Sequence, residues 1–282
     1  MNNSLVKIAE TTENFSLAER LKATEDLNLT EGIMIIDCYD IETEPIISLK
    51  DFYGEQKHIV DVCLIIFSQE IHTHLLCTYE CEEIAHFTVC NGNIPIYRMN
   101  YKGTDIAFYL TAIGSALASC LCYEANWLTG ATKFVMFGSC GSLDREKTEG
   151  KFILPTESYR GEGCSYYFAK PADYIEIKNS HKLAAMFAQM GVPYVLGKAW
   201  TTDSMIRETV GLVAKRKAEG CIAVEMEVAG VQSVCDFYNL ELYDFLEAGD
   251  VLESSGYEVE GLHGANHNLG KLYIALEIAL QV

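Results

Sequence analysis

Four short stretches of this chain carry residue types that can do chemistry. Val224-Glu225-Met226-Glu227 sets a carboxylate on either side of a thioether. A carboxylate accepts two hydrogen bonds, which suits the vicinal hydroxyls of a ribose, and a Met can pack against the sugar face. The same acids also fit a plain helix N-terminus, where the dipole favours negative charge. Phe137-Gly138-Ser139-Cys140-Gly141-Ser142 is a glycine-rich strand exit. Such a turn can bring backbone N–H groups and a Ser hydroxyl to an anion, or it can be only a turn. Gly114-Ser115, at the start of a helical pattern, is a second anion or hydroxyl candidate, or an ordinary cap. Glu247-Ala248-Gly249-Asp250 closes an apolar run. An acid at the carboxyl end of a strand suits general acid catalysis, while a loop Asp also caps turns.

These stretches need elements to position them. Ile59 to Phe67 is almost continuously apolar, the pattern of a strand buried on both faces. Shorter strands are expected at Ile84–Cys90, Ile94–Tyr101 and Asp105–Leu110, with Gly92 and Gly103 at the turns. Ser115–Leu128 reads as an Ala- and Leu-rich helix stopped by Gly130, and Lys133–Phe137 as the strand that feeds the glycine-rich exit. Further strands are expected at Phe152–Leu154, Tyr194–Lys198, Ile222–Val224 and Glu241–Ala248. Helices are expected at Arg207–Glu219, Met226–Tyr238 and Asn266–Leu280. Strands alternating with helices indicate an α/β fold with a mixed, mostly buried sheet. Residues 1–55 read as a polar N-terminal appendage, with a helix around Leu17–Leu27 and a short strand at Ile33–Ile36. Residues 56–282 read as one catalytic domain.

Composition narrows the function. The 282 residues carry 40 acidic and 21 basic side chains, a formal net charge of −19. That field repels phosphate-rich partners, so nucleic acid and anionic membrane are not expected as ligands. The eleven cysteines sit mostly in apolar runs and read as buried thiols, not a disulfide scaffold or a zinc site. Without a signal segment or a long apolar run, a cytoplasmic location is expected.

In their order along the chain these segments resemble the nucleoside phosphorylase superfamily, which includes bacterial purine nucleoside phosphorylases, uridine phosphorylases and nucleosidases. The resemblance runs from Ile59 to the C-terminus and is strongest over Leu110–Leu143 and Val224–Ala229. It implies a single-domain three-layer α/β/α fold with a mixed central sheet, no cofactor beyond phosphate as co-substrate, and a homo-oligomer. It also implies roles. Glu227 would accept the ribose hydroxyls, with Met226 beneath the sugar and Glu225 nearby. Gly138, Ser139 and Gly114 would hold phosphate. Phe168, or else Tyr166, in Gly163–Ala169 would stack on the base. Asp250 would protonate a departing purine, which makes purine favoured over uridine.

Two positions depart from that family. Met136 stands where the phosphorylases place an Arg, and Phe67-Ser68-Gln69-Glu70-Ile71-His72 replaces their second Arg-bearing stretch. An anion loses its best bidentate partner when such an Arg is absent. His72, Arg98 and Arg207 are candidate substitutes, and Glu70 is a candidate base for water. The sequence expectation is therefore phosphorolysis of a purine ribonucleoside to free base and ribose 1-phosphate. Hydrolysis, or a catalytically inactive nucleoside-binding sensor, is the alternative.

Overall fold

Five consecutive apolar residues set the centre of the molecule. In β1 (Val62–Ile66) every side chain is buried, because successive residues feed opposite cores. Cys63 and Ile65 face one apolar cluster, while Val62, Leu64 and Ile66 face another. Burying such a side chain is worth ~1.5–3 kcal/mol each, so this strand alone ties the two layers to the sheet. The computed structural model describes residues 38–90, 92–253 and 256–282. The expected helix at Leu17–Leu27 and strand at Ile33–Ile36 lie outside them.

The remaining elements follow in chain order. They are α1 (Leu49–Tyr53), α2 (Gln69–Thr78), β2 (Cys81–Val89), β3 (Gly92–Tyr101), β4 (Thr104–Leu110), α3 (Ser115–Thr129) and β5 (Lys133–Ser142). Next come α4 (Arg145–Thr148), β6 (Phe152–Gly161), β7 (Tyr174–Glu176), α5 (Ser180–Met190), β8 (Tyr194–Thr202), α6 (Val210–Ala218) and β9 (Cys221–Glu225). The chain closes with α7 (Val228–Phe237), β10 (Glu241–Glu253), β11 (Gly256–Glu258), α8 (Leu262–Asn266) and α9 (Leu269–Ala279). Tyr39–Val282 forms one compact unit, in which the Tyr53 hydroxyl donates to Glu124 and the Trp127 indole to the Gly54 carbonyl.

The strands make one mixed sheet in the order β11-β10-β6-β8-β9-β5-β1-β4-β3-β2, with β7 on β6. β5 also pairs with β10, so β5, β9, β8, β6 and β10 close into a ring from which the other strands extend. Helices α3 and α7 cover one face and share a core with Cys63, Ile65, Phe134 and Met136. Helices α2, α5 and α9 cover the other. This is the three-layer α/β/α arrangement with a mixed sheet. Among the described residues no helix is long and apolar enough to cross a membrane. All eleven cysteines are free thiols.

Two helices on one face meet at van der Waals distance, and a glycine permits it. A Cβ on Gly230 of α7 would lie 2.8 Å from both Ser115 Cβ and Ser119 Oγ of α3. Gly230→Ala therefore overpacks the contact. It is expected to cost about 1–3 kcal/mol of stability, read as a lower urea midpoint. A midpoint equal to that of the unaltered protein would show that the two helices separate freely.

Candidate active site

The carboxyl ends of β5, β9 and β10 open into a cavity of about 1020 Å³. Gly138, Ser139, Glu225, Met226, Glu227 and Asp250 all line it, so three of the four sequence stretches meet in one place. The glycine-rich segment is not a loop after the strand. β5 runs on to Ser142, and Leu246↔Gly138 and Glu247↔Ser139 pair in parallel register with β10. β10 likewise continues past Ala248, through a register shift between Ala248 and Asp250, so Asp250 is a strand residue. Gly249 sits at that bulge, where a Cβ would meet Leu262 Cα and Ala265 Cβ at 3.0 Å. A bulge of this kind re-aims neighbouring side chains and often borders an active site.

The two acids of the Glu-Met-Glu turn do different work. Glu225 ends β9 and is spent on the start of α7: it accepts the N–H groups of Glu227 (2.6 Å) and Val228 (2.7 Å) and the Thr201 hydroxyl. Burial, with the Glu227 charge, pushes its carboxyl up to about 8. Glu227 accepts the Gly114 N–H at 2.6 Å and a backbone hydrogen bond from Met226, and burial raises it to about 7. It keeps acceptor capacity for a ligand in the cavity. Ser115 Oγ donates to the Met226 carbonyl at 2.8 Å, so the start of α3 holds the whole turn. Gly114 thus bonds the ribose candidate Glu227, and it is not among the residues that line the cavity.

Folded carboxyls raised above their unfolded value are favoured in protonated form. The stability from Glu225 and Glu227 is complete below about pH 4.5 and is lost as pH rises through 7 to 8. The urea midpoint is expected to fall between about pH 6 and about pH 8.5, and less so in Glu227→Gln. A midpoint that rises over that interval would contradict the burial of these acids.

At the other end of the cavity the polar groups come from α2, α8 and the residues beside them. Ser139 Oγ donates to Asn266 Oδ1. Ser68, the N-cap of α2, receives the Ile71 N–H and sits 2.7 Å from His267 Nδ1. His267 Nε2 lies 3.8 Å from Glu70. Glu70, His263 and His267 hold their ligand atoms within 4.8 Å of one another, the one group among the described residues that could take a metal ion. Behind the strand, buried Lys271 donates to the Gly138 carbonyl at 3.1 Å and lies 3.8 Å from Glu247. Burial lowers its ammonium to about 8.

Asp250 is held above the usual carboxylate range by burial, an effect opposed by a hydrogen bond from Tyr257. Glu208, across from it, is raised to about 7 by burial and by the Asp250 charge. An acid that holds its proton to higher pH than an exposed carboxyl can donate it to a leaving group. The arrangement therefore sets a sugar-hydroxyl acceptor, a proton donor and a Ser-bearing strand end around one cavity.

The profile of the Phosphorylase superfamily matches residues 61–246. The chain belongs to the phosphorylase superfamily, that of the nucleoside phosphorylases and nucleosidases. The chain is 26% identical over 188 residues to a DeoD-type purine nucleoside phosphorylase of Alkaliphilus metalliredigens, covering 64% of this chain and 78% of that protein. It is 21% identical over 212 residues to a DeoD-type purine nucleoside phosphorylase of Bacillus cytotoxicus, covering 72% and 88%. A futalosine hydrolase mutant of Helicobacter pylori shares its fold at a TM-score of 0.62 and 14% identity, over 77% of this chain and 98% of that one.

This phosphorylase-superfamily protein does not bring every sequence candidate to the cavity. Phe168 packs edge-on to Phe237 at 5.6 Å, beside Tyr238 at 6.2 Å. Tyr166 lies under the Arg160 guanidinium at 4.1 Å and donates to the Arg160 carbonyl. Neither lines the cavity, whose aromatic residues are Phe67, Phe137 and Tyr257. The candidate cations are elsewhere too. His72 is buried between Tyr97 and Phe108, Arg98 pairs with Glu82 and Asp105, and Arg207 does not line the cavity. Among the described residues no Arg lines it, and Lys217 is its one Lys, against six acids. Met136 is buried in its wall. Sequence reading missed Ser68, Glu208, Asp244, Tyr257, Asn266 and His267. Their place in the cavity depends on which strands and helices converge, and no local pattern marks it.

Proposed function

We propose that this protein cleaves the N-glycosidic bond of a purine ribonucleoside, with water as the nucleophile. The observation that carries the reading is the convergence of Glu227, Met226, Ser139 and Asp250 on one cavity. Glu227 accepts the ribose 2′- and 3′-hydroxyls and Met226 packs beneath the sugar. The C–N bond lengthens ahead of the nucleophile, so positive charge grows on the ribose, where the carboxylates of the cavity stabilise it. Asp250 gives its proton to the purine as it leaves. Tyr257, which donates to Asp250, is the aromatic residue beside the departing base and takes the place expected of Phe168 or Tyr166.

Phosphate is the nucleophile expected from the sequence, and the names of the DeoD-type relatives support it. The charge lining this cavity supports water instead. Its described lining has no Arg, the side chain with which phosphorylases of this superfamily hold the anion. The reading uses no organic cofactor. Ile113, Met205, Ile206 and Val210 line the cavity yet are largely exposed, an apolar rim of the kind a second copy of the chain covers. This supports assembly as a homo-oligomer.

The test is release of free base from inosine, guanosine, adenosine and uridine, followed separately. Release from at least one purine nucleoside, well above that from uridine, is expected. Preference for uridine would remove the role given to Asp250, and binding without release from any of the four would favour a nucleoside sensor.

A further inference from the structure

One ionisable group of the cavity has no part in the reading above. Asp244 lies in the middle of β10, its side chain 1% exposed. Neither carboxyl oxygen has a hydrogen-bond partner among the described residues, yet the side chain lines the cavity. Its strand neighbours Tyr243 and Phe245 belong to one core, and Leu242 and Leu246, two residues away on either side, to the other. Alternation along the strand therefore puts Asp244 on the Leu242 and Leu246 face, that of helices α3 and α7. In the parallel register of β10 with β5, Asp244 stands directly beside Met136.

A buried carboxyl with no partner carries a heavy free-energy cost, and Leu of similar size at this position would avoid it. Buried polar groups are almost always hydrogen-bonded, so an orphan that faces a cavity points to a partner brought by the ligand. To the ionised form that partner must donate, because a carboxylate only accepts. It cannot be a phosphate dianion, which carries like charge and meets Met136 where it needs a cation.

We propose that Asp244 is a catalytic base for this cavity: it receives a hydrogen bond from the attacking water and takes its proton. The inference rests on the reading of the protein as a nucleoside-cleaving enzyme. In the step, one O–H bond of water breaks and its proton passes to the Asp244 carboxylate. The water oxygen bonds to the ribose anomeric carbon as the C–N bond breaks. The electron pair of that bond leaves with the purine, which takes the proton of Asp250. The products are free base and free ribose, and exchange with solvent returns both acids to their starting forms. Burial and the nearby Glu225 and Glu227 charges hold Asp244 above the ordinary carboxyl range, so the ionised form that acts as base gains as pH rises.

The experiment compares the full-length protein with Asp244→Asn and Asp244→Thr on the purine nucleoside it cleaves best, with inorganic phosphate present. Both variants are expected to lose about 10²- to 10⁴-fold in kcat, with KM little changed. Asp244→Asn is also expected to unfold at an equal or higher urea concentration, which separates lost chemistry from lost fold. A kcat within about threefold of the unaltered protein in either folded variant overturns the role of Asp244 while leaving nucleoside cleavage standing. Ribose 1-phosphate as the sugar product also overturns it, since phosphate would then be the nucleophile. Failure of the unaltered protein to release base removes the nucleoside reading and the role of Asp244 with it.

Discussion

Replacing Glu227 by Ala should lower kcat/KM for ribonucleosides by about 10²- to 10⁴-fold. The reason is arithmetic on two hydrogen bonds. Each ribose hydroxyl that donates to a carboxylate contributes about 1.5–3 kcal/mol, and about 1.4 kcal/mol is a factor of ten. Glu227 has capacity for both, because a carboxylate has about four acceptor sites and backbone N–H groups of Gly114 and Met226 use two of them. A 2′-deoxyribonucleoside offers one hydroxyl fewer, so the substitution should cost it less. The fold should survive, since α7 is capped by Glu225 and the turn is held by Ser115. Equal losses on the ribo- and deoxyribo-substrates would leave Glu227 a structural residue and move the sugar site elsewhere in the cavity.

The second large effect concerns the leaving group. Asp250→Asn should lower turnover of purine nucleosides by about 10²- to 10⁴-fold, the usual contribution of a positioned general acid. A riboside with a leaving group that needs no proton, such as p-nitrophenolate, should keep its rate to within about threefold. The pH dependence follows from the same group. Asp250 is raised above the ordinary carboxyl value, so its acid form persists to higher pH than that of an exposed Asp, and kcat on purine nucleosides should fall as pH rises past its pKa. Asp250→Asn should flatten that limb. Tyr257→Phe removes the hydrogen bond that lowers the Asp250 pKa, so it should move the limb to higher pH. Equal losses on both kinds of leaving group would remove Asp250 as proton donor.

The architecture was legible where burial writes itself into residue order. Val62–Ile66 is apolar without a break because both faces of the strand are covered, and the run could be read as a buried strand. The Glu-Met-Glu turn was legible as a strand end, although α7 begins at Val228, later than the expected Met226. Helices α2 and α5 were missed. α2 is short, and only Ile71, His72 and Leu75 of its residues are buried. α5 does carry helical spacing in Leu183, Ala184 and Phe187, and that signal was available. The strand was expected to end at Ala248, but Gly249 is a bulge within β10 that lets α8 approach, so the strand reaches Glu253.

The site was less legible than the fold, for a physical reason. Motif residues at strand ends are marked by their neighbours in sequence, while Asp244 is marked only by its register beside Met136 and its lack of a partner. Tyr257 lies on a three-residue edge strand with exposed backbone positions and no periodicity. Phe168 and Tyr166 were legible as aromatics, but Phe237, Tyr238 and Arg160 offered them closer packing than the cavity did. The departures at Met136 and at Phe67–His72 were the sequence signals that bore on the nucleophile. Their meaning became physical once the acids of the cavity were in place.

The measurement that tests the central claim most directly is turnover of a purine nucleoside in ¹⁸O-labelled water containing inorganic phosphate, with the sugar product analysed by mass spectrometry. Water as nucleophile predicts free ribose carrying one ¹⁸O at the anomeric position, at a rate indifferent to phosphate. Unlabelled ribose 1-phosphate, formed at a rate that rises with phosphate, would contradict it.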